Sequence, residues 1–161
     1  MGIGFKSKLK IKLDMRLSVD TGGTFTDLLI EKNDSTISVF KVPTTPSNPS
    51  IGILKGVNKV AESLNLSTEN FLSNLTSLDL LTSKLSDDDK FKENCVLKPL
   101  NKLINLTYLN LGFTNVRFVE PLQNLSKLEY LNLRYTKVAD PSSIIFNQSK
   151  YKCNMFNNVI V

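Results

Sequence analysis

The sequence predicts a mixed α/β chain in two parts: antiparallel β-hairpins with a helix, then a short solenoid of repeats. Three observations predict it. Residues 16–42 fall into three apolar runs separated by turn residues, residues 51–64 carry apolar side chains at helical spacing, and from Leu72 a leucine pattern recurs at fixed offsets.

Arg16 to Asp20 reads as a short buried strand ending in a carboxylate. Thr21-Gly22-Gly23-Thr24 reads as a turn, since paired glycines tolerate backbone angles that a β-carbon forbids. Asp27 to Lys32 forms a second apolar run, Asn33-Asp34-Ser35 a hairpin-type turn, and Thr36 to Val42 an alternating third strand. Pro43, Pro46 and Pro49 then interrupt any ladder. From Ser50, Ile51, Leu54, Val57, Val60, Ala61 and Leu64 place one apolar stripe on a helix, and Ser67 caps a second, short helix containing Phe71.

The second half follows a different rule. Leu100, Leu103, Leu106, Leu109, Leu111, Thr114 and Val116 recur at Leu122, Leu125, Leu128, Leu131, Leu133, Thr136 and Val138, a shift of 22 throughout, with Pro99 and Pro121 in step. An earlier copy fits at a shift of 31, from Leu72, Leu75, Leu78, Leu80 and Leu85 to Leu103, Leu106, Leu109, Leu111 and Val116. This period is that of leucine-rich repeats. The nine additional residues fall in the polar stretch Ser86 to Asn94, where Asp87, Asp88 and Asp89 lack the ligand spacing and glycine of a calcium loop and read as a solvated surface.

Composition excludes several chemistries. The chain of 161 residues has no histidine, which removes histidine general bases, triads and most transition-metal sites. Cys95 and Cys153 are too few for a disulfide framework and suit a reduced, cytoplasmic protein. No apolar run approaches the ~18 residues that span a bilayer, and the N-terminus lacks a secretory pattern. Met1-Gly2 opens like an acylation signal, but Lys6 stands where a hydroxyl residue is wanted. Of the net charge of +5, Lys6, Lys8, Lys10, Lys12 and Arg16 against Asp14 place +4 in the first sixteen residues. That pattern alternates with Phe5, Leu9, Ile11 and Leu13 and reads as a half-exposed strand rather than a nucleic-acid arm. Neither nucleic acid nor membrane is an expected partner.

The chemical signal lies in Asp20-Thr21-Gly22-Gly23-Thr24-Phe25-Thr26-Asp27. Glycines at a hairpin tip let backbone N–H groups approach phosphate oxygens and form an anion-binding concavity. Thr24 and Thr26 add hydroxyl donors, and the strand-end carboxylate of Asp20 can hold a water on Mg²⁺ or orient an attacking water. The alternative is a plain hairpin in which the glycines only supply unusual backbone angles.

This loop, with the following Lys41-Val42-Pro43-Thr44-Thr45-Pro46 segment and a helix after it, resembles the start of the hydantoinase A/5-oxoprolinase family, ATP-dependent enzymes of the actin-like ATPase superfamily that open cyclic amides. The resemblance covers about residues 15–71. It implies a partial actin-like lobe, with Gly22, Gly23 and Thr24 on ATP phosphates, Asp20 beside Mg²⁺, and Thr26 and Asp27 holding the loop; Thr44 and Thr45 receive no role. The chain departs from the family after Phe71, where Asn74-Leu75-Thr76-Ser77-Leu78-Asp79-Leu80 replaces a Gly-Thr-Thr segment, and the rest of the ATP cleft has no counterpart. ATP and Mg²⁺ are thus cofactors by resemblance only, and hydrolysis by this chain alone is not expected.

The repeats resemble those of internalin-like proteins, which places Tyr108, Asn110 and Gly112 beside Tyr130, Asn132 and Arg134 on a concave protein-binding face. The expected organisation is a basic leader at 1–14, a truncated hydantoinase-type domain at 15–71, leucine-rich repeats at 72–146 and a tail at 147–161. The expected function is protein interaction, the alternative being a component of an amidohydrolase whose missing lobe comes from another subunit.

Overall fold

The computed structural model describes residues 14–45, 49–81, 97–140, 142 and 152–154. Most of the leader, the Asp87–Asp89 triplet and Cys95 lie outside the described residues. Three antiparallel strands come first: β1 (Met15–Thr21), β2 (Phe25–Glu31) and β3 (Ile37–Pro43). Helices α1 (Pro49–Ser63) and α2 (Thr68–Ser73) follow, then the parallel strands β4 (Leu75–Asp79), β5 (Tyr108–Asn110), β6 (Tyr130–Asn132) and β7 (Lys152–Asn154).

All seven strands among the described residues join one sheet in the order β3-β2-β1-β4-β5-β6-β7. The two sequence grammars therefore share one hydrogen-bonded ladder, and the seam is the parallel β1–β4 pair, Leu17 opposite Leu78 and Ser18 opposite Asp79. A bulge between Met15 and Arg16 opens that pairing. One residue more on β4 explains why Leu75 and Thr76 are both buried before alternation resumes. The buried Thr76 hydroxyl sits between the Met15 carbonyl oxygen, at 3.2 Å, and the Asp14 carboxylate.

The hairpins form where alternation and turn chemistry dictate. In β1 every second residue from Met15 to Thr21 is buried and those between are exposed. The β2–β3 turn closes with Ser35 N–H on the Lys32 carbonyl at 2.9 Å, Ser35 taking a φ of 61°. Asp34 accepts the Thr36 N–H at 2.9 Å, and the Thr36 hydrogen bonds hold its carboxyl below the usual value.

Helix α1 covers one face of β1–β3, but not by the stripe that periodicity indicates. Val57, Val60 and Ala61 are buried, whereas Ile51 and Leu54 stay about 40% exposed. Glycines take the contact in the first half of the helix. A β-carbon on Gly56 would stand 2.2 Å from Leu28 Cδ1, and one on Gly52 would stand 3.2 Å from Thr26 Oγ1. Their bare backbone lets the helix lie closer to β2 than any side chain permits, which turns Ile51 and Leu54 outward. Ser67 caps α2 as expected, its hydroxyl accepting the Asn70 N–H at 3.2 Å.

In the second half, strand pairing reproduces the offsets written in the sequence. Leu78 lies opposite Leu109, 31 residues on, and Leu109 opposite Leu131, 22 on. The strand Lys152–Asn154 in the C-terminal tail adds a further rung at the same interval, Leu131 opposite Cys153. Behind the strands run 3-10 turns at Lys98–Lys102 and Glu120–Asn124, each with a proline early in the turn where no N–H is required. Leu103, Leu106, Leu109 and Leu111 are fully buried, and Leu122, Leu125, Leu128, Leu131 and Leu133 are at most 2% exposed. Thr114 and Thr136 are buried as well, and their hydroxyls donate to the carbonyls of Leu111 and Leu133 at 2.7 and 2.8 Å, a turn-closing role. Among the described residues no helix is long and apolar enough to cross a membrane.

Candidate functional site: the glycine hairpin and the open sheet face

The glycine motif occupies the β1–β2 turn, with Thr21 opposite Thr26 and Asp20 opposite Asp27. No described glycine has a positive φ, so unusual backbone angles are not what Gly22 and Gly23 supply. Gly22 has a packing reason: its added β-carbon would stand 3.2 Å from the Phe25 carbonyl oxygen, which its own N–H engages at 2.9 Å. That N–H is thereby withdrawn from any phosphate. Gly23 has neither reason, since nothing lies within 4 Å of its added β-carbon. The N–H groups of Gly23 and Thr24 donate to no other described residue.

Thr44 holds this loop, a role that its place in the sequence does not suggest. Thr26 Oγ1 lies 3.0 Å from Thr44 Oγ1, and Thr44 Oγ1 donates to the Gly22 carbonyl at 3.1 Å. With one hydroxyl proton each, Thr26 must donate to Thr44. The Thr44 N–H also donates to the Thr24 carbonyl at 2.9 Å. Thr26 is fully buried, so its hydroxyl stays inside the loop's own network. Asp27 pairs with Lys41 at 3.2 Å, the lysine ammonium lying 5.2 Å from the centre of the Phe25 ring. Asp20 is exposed and has no cationic partner among the described residues.

The strand registers carry this site onto a larger surface. Residues facing away from α1 form rows across the sheet. Ile37, Glu31, Arg16, Ser77, Tyr108 and Tyr130 make one; Val39, Leu29, Ser18, Asp79, Asn110 and Asn132 the next; Lys41, Asp27 and Asp20 a third beside the hairpin tip. The expected loop residues and the expected repeat residues thus share one face of one sheet. A groove of about 570 Å³ crosses the seam, lined by Asp14, Arg16, Glu31, Asp79 and Tyr108 among others. The apolar cavity beneath the sheet, about 70 Å³ and lined by Leu17, Val57, Leu75 and Leu78, touches neither set.

On the repeat side Tyr108 and Tyr130 stack with ring centres 4.7 Å apart and planes 2° from parallel. Burial, then the charges of Asp79 and Tyr130, push the Tyr108 phenol above its usual value near 10. Asn110 is only 5% exposed: its Oδ1 accepts the Gly112 N–H at 3.1 Å and the Asn132 amide at 2.8 Å, so it serves the ladder and offers little surface to a partner. Asn132 in turn accepts the Arg134 N–H at 3.0 Å. Periodicity alone passes over Phe113 and Tyr135, which share one repeat position at φ 58° and 56°, are exposed, and stack at 4.4 Å.

Residues 16–76 match the hydantoinase/oxoprolinase N-terminal region. The match thus includes the hairpins, α1, α2 and the first two residues of β4, and it ends inside the strand that begins the repeats. The caprolactamase subunit alpha of Pseudomonas jessenii is 36% identical over 53 residues, which are 33% of this chain and 8% of that protein. Among solved structures, an internalin (inlF) of Listeria monocytogenes is 27% identical, with a TM-score of 0.42 over 54% of this chain and 23% of its own. Internalin C2 from the same organism gives 25% and 0.40 over 58% and 40%. A nucleotide-free acetone carboxylase gives 25% and 0.38 over 41% and 9%.

Proposed function

We propose that this chain is a protein-interaction module: a short leucine-rich solenoid built onto a partial hydantoinase-type lobe, acting through the open face of the shared sheet. The observation that carries this reading is the unbroken row from Arg16 through Ser77 and Tyr108 to Tyr130, which makes the repeats and the hairpins one surface. Stacked tyrosines and a half-buried arginine, Arg134, are the side chains that anchor protein partners best. The glycine hairpin has no catalytic role in this module by itself. Its tip offers the N–H groups of Gly23 and Thr24, which donate to no other described residue, and phosphate held there stays in water, where each charge pair contributes about 1 kcal/mol. The expected setting is the cytoplasm, with neither nucleic acid nor membrane as partner. Affinity capture from cell extract, with Tyr130→Ala and Arg134→Ala beside the parent chain, tests the reading. Loss of the same captured protein from both folded variants supports it, and equal recovery by all three refutes it.

A second reading has one observation in its favour. Gly23 is a glycine with no conformational or packing need for one, which fits a backbone that something outside the chain approaches closely. The matched relative is by name a caprolactamase subunit, so the hairpin would serve an ATP-dependent amidohydrolase completed by another chain, with Asp20 beside Mg²⁺. Isothermal titration with Mg-ATP decides it: micromolar binding that Asp20→Ala removes would establish this role, and no heat at millimolar nucleotide would end it.

A further inference from the structure

Antiparallel strands with one face on the core ordinarily turn polar side chains to water on the other. Here α1 covers one face of β1–β3, while on the other Leu29 is 39% exposed, Ile37 59% and Val39 66%. Leu29 and Val39 are directly opposite each other on adjacent strands and form a continuous apolar floor. With Leu81 they line a groove of about 350 Å³ whose wall carries Asp20, Asp27 and Asp79.

The charges around this floor are unequally matched. Arg16 reaches Glu31 at 3.7 Å and Lys41 reaches Asp27 at 3.2 Å. Asp20 and Asp79 have no cationic partner among the described residues; Asp79 accepts only the Leu81 N–H, at 2.9 Å. The two unmatched carboxylates flank Ser18, one two residues along its strand and the other directly across the seam. A chain of net charge +5 thus presents an acidic rim around exposed leucine and valine.

We infer that this face receives a partner-protein segment carrying aliphatic side chains and an arginine or lysine, the cation lying between Asp20 and Asp79 and its methylene stem against Leu29, Val39 and Leu81. Such a side chain satisfies both features at once: its stem covers apolar surface and its head remains at the charged rim. A second copy of this chain fits poorly, because face-to-face packing sets the same unmatched carboxylates against each other. The inference rests on the interaction reading and moves its centre from the tyrosine stack to the seam between the two halves.

Fluorescence anisotropy with a labelled amphipathic helical peptide, leucine and arginine on one face, tests it against peptides with glutamine or glutamate in place of arginine. The full chain should bind the arginine peptide, and the Asp20→Asn, Asp79→Asn double variant should weaken binding about tenfold. Val39→Lys, at a position too exposed to matter for folding, should also abolish it, while Tyr130→Ala leaves it unchanged. That last variant keeps the outcome separate from the repeat-face reading, which depends on Tyr130. The inference is overturned by no binding of the arginine peptide at millimolar concentration, by equal affinity for the glutamine peptide, or by an unaltered double variant. Displacement of the peptide by micromolar Mg²⁺ alone would also overturn it, assigning the carboxylates to a metal.

Discussion

The two halves of this sheet reach a buried face by opposite means. In the hairpin half, seven-residue strands are covered by one fifteen-residue helix whose glycines bring its backbone against Leu28. In the repeat half, three-residue strands suffice, because each coil of chain brings its own leucines and stacks them on the next. The first design depends on close fit at a few positions; the second spreads the same burial over many equivalent ones. Strand β4 belongs to both: its first residues lie in the hydantoinase-type match, and its leucines begin the repeat.

The sharpest way to break this comparison is at the seam. Leu78 is 4% exposed between Leu17 and Leu109, and Leu78→Ala should cost about 2–5 kcal/mol through lost burial and the cavity left behind. Denaturant unfolding should still show one transition if the shared ladder makes the halves cooperative. Two separated transitions would mean that each half stands alone. Gly56→Val comes next. It drives side-chain atoms into Leu28 and should cost about 1–3 kcal/mol by overpacking, whereas an insertion of similar volume at exposed Ile104 should cost little. Equal midpoints for Gly56→Val and the parent would show that α1 is not held as closely as described.

Thr44→Val should cost about 1 kcal/mol, since it removes the hydroxyl that links Thr26 to the Gly22 carbonyl. Faster hydrogen exchange confined to the loop N–H groups, with the repeats unchanged, is the measurement; unchanged exchange would remove Thr44 from the loop's support. The smallest effect is electrostatic. Asp79→Asn should bring the Tyr108 phenol part of the way back toward 10, leaving the larger shift due to burial. Because the folded value is raised, the stability contributed by Tyr108 is present below pH 10 and falls as pH rises through the folded value. Alkaline titration of the tyrosine NMR signals checks both statements.

Most local structure was legible because it depends on neighbours in sequence. The strand at Arg16–Asp20, the Asn33–Ser35 turn, the Ser67 cap and the 22-residue offset each involve side chains within a turn or a repeat of one another, although half of that strand, read as buried, faces outward. The helix stripe misled at Ile51 and Leu54 because periodicity counts apolar side chains, whereas Gly52 and Gly56 set the contact by having none. The glycine hairpin misled in a related way. A pair of glycines suggests unusual backbone angles, but their φ values are ordinary; Gly22 is needed for space, and nothing inside the chain requires Gly23.

The amino-acid sequence by itself therefore determined most of the elements, the β7 rung excepted, together with the repeat register and the identity of the loop residues, since propensity, alternation and spacing are local properties. Only the tertiary structure decided that Ser18 faces Asp79, that Thr44 supports the Gly22 loop, and that hairpins and repeats form one open face. The first and last of those outcomes depend on which strand β4 pairs with. That pairing joins residues about sixty positions apart through backbone hydrogen bonds that are the same for every side chain.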